Sequence, residues 1–371
     1  MDYDYDVIII GARIAGSVLG TLLGRHGTKV LVLDRAHFPS DTLSTHFFRW
    51  PTFTVFGRIG VLESVTSQAP KLANNFNYID GHVFSEEVEG PEGPSHHLCI
   101  RRITLDHILV QRLLKESSVL LREGAIVSEL ITSQGRVEGV RWSEKGKQME
   151  ATGRAVIGAD GINSVVARNV EIEIERSEPV HRAMYYAYYR NLEGWPNPSA
   201  EFHYRGNHLA YVFPTDGGLS LLAASIPIDE FAAFKRDPER NLADFFASMP
   251  ELKPRIDKAQ KEGPVRGTGS IPAYRRVPFG KGWALVGDSA QIMDPWSGQG
   301  IDQASTHASL FADSVIEWLS ERKSWEDAMK EYQRKRNEFS DAAFDRTCRA
   351  APDLRPMTKA ALKRRGLARE S

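Results

Sequence analysis

The chain opens with three short apolar runs separated by polar or glycine-rich breaks: Tyr5 to Ile10, Ser17 to His26 at helical spacing, and Lys29 to Leu33. With Gly11 to Gly16 as the turn between the first two, this pattern predicts strand, turn, helix and strand, a βαβ unit. A helical pattern follows over Thr52 to Ser64. Gln68 to Ser95, rich in Asn, Gly and Pro, reads as loops with short strands. Ile103 to Lys115 reads as a helix, Ala125 to Leu130 with Arg136 to Trp142 as a hairpin, and Ala155 to Gly158 as a short buried strand. From about Glu171 to Arg275 the texture changes to alternating, aromatic-rich strands: Ala183 to Arg190, Ala200 to Tyr204, Leu209 to Phe213 and Leu219 to Ser225. One helix, Pro238 to Met249, interrupts them. Trp283 to Val286 returns to a buried strand, a long amphipathic helix covers Ile301 to Leu319, and another begins at Trp325. No internal repeat is visible.

Composition narrows the function classes. The 371 residues are 42% hydrophobic and 26% charged, ordinary globular usage for about two domains. The 47 basic and 48 acidic side chains nearly cancel, which gives no electrostatic reason to expect nucleic acid or an anionic membrane as partner. With only Cys99 and Cys348 there is no disulfide framework and no cysteine-based metal site, and no metal is expected; a reducing cytoplasm fits. The apolar stretch Val7 to Leu23 follows an acidic rather than basic run and contains Arg13, unlike a signal peptide. No segment offers the roughly 20 apolar residues of a membrane helix, so stable membrane insertion is not expected. The C-terminal Arg355, Lys359, Lys363, Arg364, Arg365 and Arg369 read as a solvated basic helix and tail.

The strand-turn-helix setting gives Gly11-Ala12-Arg13-Ile14-Ala15-Gly16 its meaning, because a dinucleotide pyrophosphate needs free backbone N–H groups at a helix N-terminus. Arg13 stands where the middle glycine of GxGxxG normally allows close approach. Asp34, with Arg35 beside it, ends the second strand, where a carboxylate can accept hydrogen bonds from an adenosine ribose. The plain alternative is a generic βαβ unit with a surface Asp.

Two further stretches carry a family resemblance. Gly158-Ala159-Asp160-Gly161-Ile162-Asn163-Ser164, continuing to Arg168, is similar to the DG motif of FAD-dependent monooxygenases related to p-hydroxybenzoate hydroxylase. That superfamily also includes flavin halogenases and geranylgeranyl-reductase-like enzymes. Gly287-Asp288-Ser289-Ala290, running through Asp294-Pro295 to Gly298-Gln299-Gly300, resembles its GD motif. The resemblance implies that Asp160 lies near the FAD pyrophosphate and that Asp288 hydrogen-bonds the ribityl chain. It implies further that Gly298, Gly300 and Ile301 bring a helix N-terminus to the flavin, where it would stabilise the reduced, anionic ring. Gln291 and Asp302 depart from the His and Asn that many hydroxylases carry. By the same resemblance Arg102 contacts the flavin phosphate or ribityl region, with Arg101 as the alternative and a simple helix-start pairing with Asp106 as the plain reading. The loop Phe38 to His46 would pass beside the ring, making His46, with Pro295, the candidate near the reactive edge; a hydrogen-bonded structural histidine is the other reading of His46.

Tyr185, Tyr186, Tyr188 and Tyr189 alternate on a strand, so one pair faces each side of its sheet, as core or as pocket wall. The expected fold is α/β plus α+β. A Rossmann-like FAD-binding domain (1–70, 98–170 and 277–345) carries an inserted β-sheet substrate domain (71–97 and 171–276), followed by a C-terminal helix and basic tail (346–371). The resemblance implies a monooxygenase that takes NADPH or NADH as reductant, O2, and an apolar, aromatic or polyketide-like small molecule, working as monomer or homodimer. A double-bond reductase is the main rival. A halogenase is disfavoured because none of the seven tryptophans forms a Trp-x-Trp-x-Ile-Pro stretch.

Overall fold

The computed structural model describes residues 3–170 and 172–367; Arg369 of the basic tail lies outside them. One sheet is built on parallel strands in the order Val119–Glu123, Val30–Asp34, Tyr5–Ile10, Lys147–Gly158, Trp283–Leu285. The first strand is apolar at every position from Val7 to Ile10 because both its faces are covered. Val7 and Ile9 pack under the helices Ile14–Arg25, Arg102–Leu113 and Gly300–Leu319, whereas Ile8 and Ile10 pack under an antiparallel meander. The meander is the expected hairpin, Ile126–Ser133 with Arg136–Glu144, extended by the first half of Lys147–Gly158. Ala155 to Gly158 is therefore not a separate short strand but the buried end of a long one, whose outer half is too polar to announce itself.

The second sheet has seven strands in the order Gln260–Thr268, Arg182–Arg190, Leu219–Pro227, His208–Pro214, Ser199–Arg205, Asn74–Ile79, His82–Glu87. Alternation assigns its faces. Tyr185, Ala187 and Tyr189 pack with Leu242 and Phe246 of the helix Pro238–Ala247, while Met184, Tyr186 and Tyr188 point the other way, onto Phe47, Cys99 and the Trp296 turn. The helix expected over 52–64 is broken in two, Trp50–Ile59 and Leu62–Thr66, by Gly60 in the left-handed region (φ 76°). Helices Trp325–Ala350 and Arg355–Arg364 close the chain; Leu354, between them, is buried against the Tyr186 face of the second sheet. No described helix is long and apolar enough to cross a membrane.

Candidate functional site

The three motifs, far apart in sequence, meet at the ends of the parallel strands. The Ala159 N–H donates to the Ile10 carbonyl (2.8 Å), and the Val286 N–H and Ser289 hydroxyl both donate to the Gly158 carbonyl (2.9 and 2.5 Å). Gly11 (φ 100°) lies so close to this junction that a Cβ on it would sit 2.4 Å from the Ala159 carbonyl oxygen. A Cβ on Gly16 would fall 1.8 Å from the Gly11 oxygen, so neither position admits a side chain. The helix beginning at Ile14 has no side-chain cap and no acidic residue in its first turn, so its N-terminal N–H groups stand free toward this junction.

Around the turn, Ala12, Ile14 and Ala15 are buried packing residues. The Asp34 carboxylate accepts from the Ala12 and Ala36 N–H groups (2.7 and 2.8 Å), which fixes it beside the turn; Arg35 is exposed. Asp160 accepts from the Val165 N–H (2.6 Å) through one oxygen, while the other is buried without a partner. Burial holds its carboxyl above the ordinary range. The Asp288 carboxylate makes no hydrogen bond among the described residues, and burial, opposed by the nearby Arg102 guanidinium, raises it to about 6. Gly298, in the left-handed region (φ 62°), ends the turn Pro295–Ser297, which the Asp294 carboxylate caps by accepting from the Trp296 N–H (3.1 Å). Gly300 and Ile301 open the long helix, again without a side-chain cap. A crowded glycine turn, one carboxylate with a buried oxygen lacking a partner (Asp160), a second without a partner among the described residues (Asp288) and two uncapped helix N-termini suit a long ligand with a diphosphate and a hydroxylated chain, and they fit FAD.

Arg102 takes the plain course. Its Nε and Nη2 donate to both oxygens of Asp106 (2.8 and 2.9 Å), leaving only Nη1 uncommitted among the described residues. Arg101, the alternative, donates to Asp216 through its backbone N–H, Nε and Nη2. Asp302, which departs from the common Asn, has a task unforeseen from sequence: it accepts from the Arg49 N–H (2.9 Å), Arg49 Nη1 (3.0 Å) and the Thr52 hydroxyl (2.7 Å). Gln291 accepts from Arg275 Nε (2.6 Å) and faces Gln303 in a buried network.

His46 is held as a buried, hydrogen-bonded histidine. It has no exposure, sits in the left-handed region (φ 61°), and burial pushes its pKa down to about 3, so it stays neutral. Its Nε2 meets the Tyr188 hydroxyl at 2.6 Å with the rings stacked. Tyr188 is half-buried, and its phenol is held above the ordinary range by burial. The sequence groups it only with its three neighbours; the alternation that sets Tyr186 and Tyr188 on one face is the available signal. His203, by contrast, is locked between Glu201 and Glu251 on the far side of the sheet, and the Tyr211 hydroxyl donates to the Trp296 carbonyl.

The fold sets two sheets side by side and brings three distant sequence motifs together at the ends of the parallel strands. The chain belongs to the FAD binding domain family, whose profile matches residues 4–347, and it is an FAD-dependent oxidoreductase. It is 25% identical to digeranylgeranylglycerophospholipid reductase 1 of Methanococcoides burtonii, over 85% of this chain and 75% of that one. It is 23% identical to the kynurenine 3-monooxygenase of Christiangramia forsetii, over 92% and 79%. Among solved structures it is similar to a myxobacterial chondrochloren halogenase, with a TM-score of 0.83, 21% identity, and 92% and 82% of the two chains covered.

Proposed function

We propose that the protein is a monooxygenase in which NADPH or NADH reduces FAD and O2 supplies one oxygen atom to an apolar, aromatic or polyketide-like small molecule. The carrying observation is the wall beside the motif junction. Tyr186, Tyr211 and Phe213 are buried with Phe47 on one sheet face, where Tyr188 and Phe202 keep partial exposure, and His46 beside Tyr188 is held neutral. Such a wall favours a flat apolar ligand and excludes water from the reacting atoms. Asp34, Asp160 and Asp288 would hold the FAD ribose, diphosphate region and ribityl chain; Gly298 to Ile301 would offer the flavin a helix N-terminus, with Pro295 in the turn before it. FAD supplies the redox chemistry. His46 orients the Tyr188 hydroxyl, which is left to hydrogen-bond the substrate. The absence of a second glycine-rich turn in a strand-turn-helix setting supports a reductant that visits without a domain of its own. The test is turnover under ¹⁸O2 with NAD(P)H and a panel of aromatic and polyketide-like compounds. One labelled oxygen in the product supports the reading. A saturated product formed anaerobically assigns a double-bond reductase instead, and a halide requirement assigns a halogenase.

A further inference from the structure

Arg13 breaks the glycine fingerprint at the position where bulk is least welcome, yet its backbone (φ −77°, ψ −157°) is extended and needs no glycine. Its side chain leaves the turn and makes four hydrogen bonds. They run to the Ser40 carbonyl (3.2 Å), the Ser40 hydroxyl (3.1 Å), the Asp41 carbonyl (3.2 Å) and the Asp106 carboxylate (2.6 Å). Its guanidinium also lies 5.6 Å from the Phe38 ring centroid. The loop it holds is held again from the other side, since the Asp41 carboxylate pairs with Arg266 (2.5 Å) on the edge strand of the second sheet. Asp106 is wholly buried and shared by Arg13 and Arg102, so two guanidinium groups face one carboxylate and leave one net positive charge. That charge lies beside the free N-terminus of the helix Ile14–Arg25, where a diphosphate would sit.

From this geometry we infer that Arg13 is a cofactor-retaining residue. It straps the Phe38–His46 loop across the dinucleotide turn, so that FAD leaves only after the fork to Ser40, Asp41 and Asp106 opens. The inference rests on the FAD assignment, which the FAD content of the purified parent protein checks separately. A planar guanidinium spans these four acceptors, on three residues, at once; an ammonium keeps the charge and cannot span them.

The test is the rate of FAD release from the holoenzyme on dilution, followed by the gain in flavin fluorescence, in the parent, Arg13→Gly and Arg13→Lys. Arg13→Gly restores the consensus fingerprint, and by that rule alone would hold FAD at least as well as the parent. The strap predicts the reverse: release roughly tenfold or more faster, the change given by losing one charge-assisted hydrogen bond, with Arg13→Lys nearly as fast. Parent-like release in Arg13→Gly overturns the inference. Parent-like release in Arg13→Lys also overturns it, because charge alone would then retain the cofactor. If Arg13→Gly does not fold, Arg13→Lys decides on its own.

Discussion

Asp288 makes opposite predictions for the empty and the loaded protein. Without a ligand its carboxylate has no hydrogen-bond partner among the described residues and is raised from an ordinary 3.8 to about 6, chiefly by burial. At about 1.36 kcal/mol per pH unit this corresponds to about 3 kcal/mol, an upper bound because the residue keeps partial exposure. Because the native pKa is the raised one, the native state holds the proton more tightly than the unfolded chain. The penalty is absent below about 3.8, grows as pH rises, and is complete above about 6. Asp288→Asn removes the charge. The FAD-free variant is therefore expected to be more stable than the FAD-free parent, by up to about 3 kcal/mol at pH 8 and about half that at pH 5. Its FAD affinity is expected to fall about ten- to a hundredfold through loss of a charge-assisted hydrogen bond. Urea unfolding at the two pH values and FAD titration of the apoprotein measure both effects. A stability difference that is the same at pH 5 and pH 8, or parent-like FAD affinity, refutes the reasoning.

Asp302→Asn is expected to behave differently, since that carboxylate is already spent on Arg49 and Thr52: stability falls by about 1.5–3 kcal/mol as Arg49 loses its charged partner while keeping the Ser297 and Gly298 carbonyls, read from the urea midpoint. Gly16→Ala places a Cβ 1.8 Å from the Gly11 oxygen, so the purified variant is expected to carry almost no FAD by absorbance per chain. With a pKa near 3, His46 contributes no limb to the pH dependence of kcat/KM between about pH 5 and 8; His46→Asn changes the rate without changing the shape of the profile, and a limb that vanishes in the variant would show that His46 titrates.

What was legible in the sequence is local. The βαβ opening, the faces of Tyr185 to Tyr189 and the two uncapped helix starts follow from periodicity and glycine spacing, because the forces that set them act within a few residues. The strand Gln260–Thr268 was missed for a physical reason: it is an edge strand paired only with Arg182–Arg190, most of its residues are exposed, and no burial imposes alternation on it. The partners of Arg13, Arg49 and His46 were equally invisible. They lie 93, 253 and 142 positions away along the chain, at Asp106, Asp302 and Tyr188. Polar pairs at such separations are chosen by the tertiary fold. A departure from a motif, as at Arg13, marks the position without naming its partner.

Three ion pairs ring the junction where cofactor and substrate are proposed to meet: Arg49 with Asp302, Arg101 with Asp216, and Arg266 with Asp41. The last two tie the second sheet to the nucleotide-binding side, and the first ties the loop after His46 to the long helix. Asp302 and Asp216 keep only 4% and 5% of their side-chain exposure, so separating either pair strands a charge where water scarcely reaches. At about 3–5 kcal/mol per broken buried pair, moving one sheet away from the other is expensive. Rotating a half-buried ring is cheap by comparison. Tyr188 has that freedom on one side and His46 on the other. The junction is thus built as a stiff frame, and under the proposed reading differences in which ligands it admits fall to the side chains of the aromatic wall rather than to opening between the sheets.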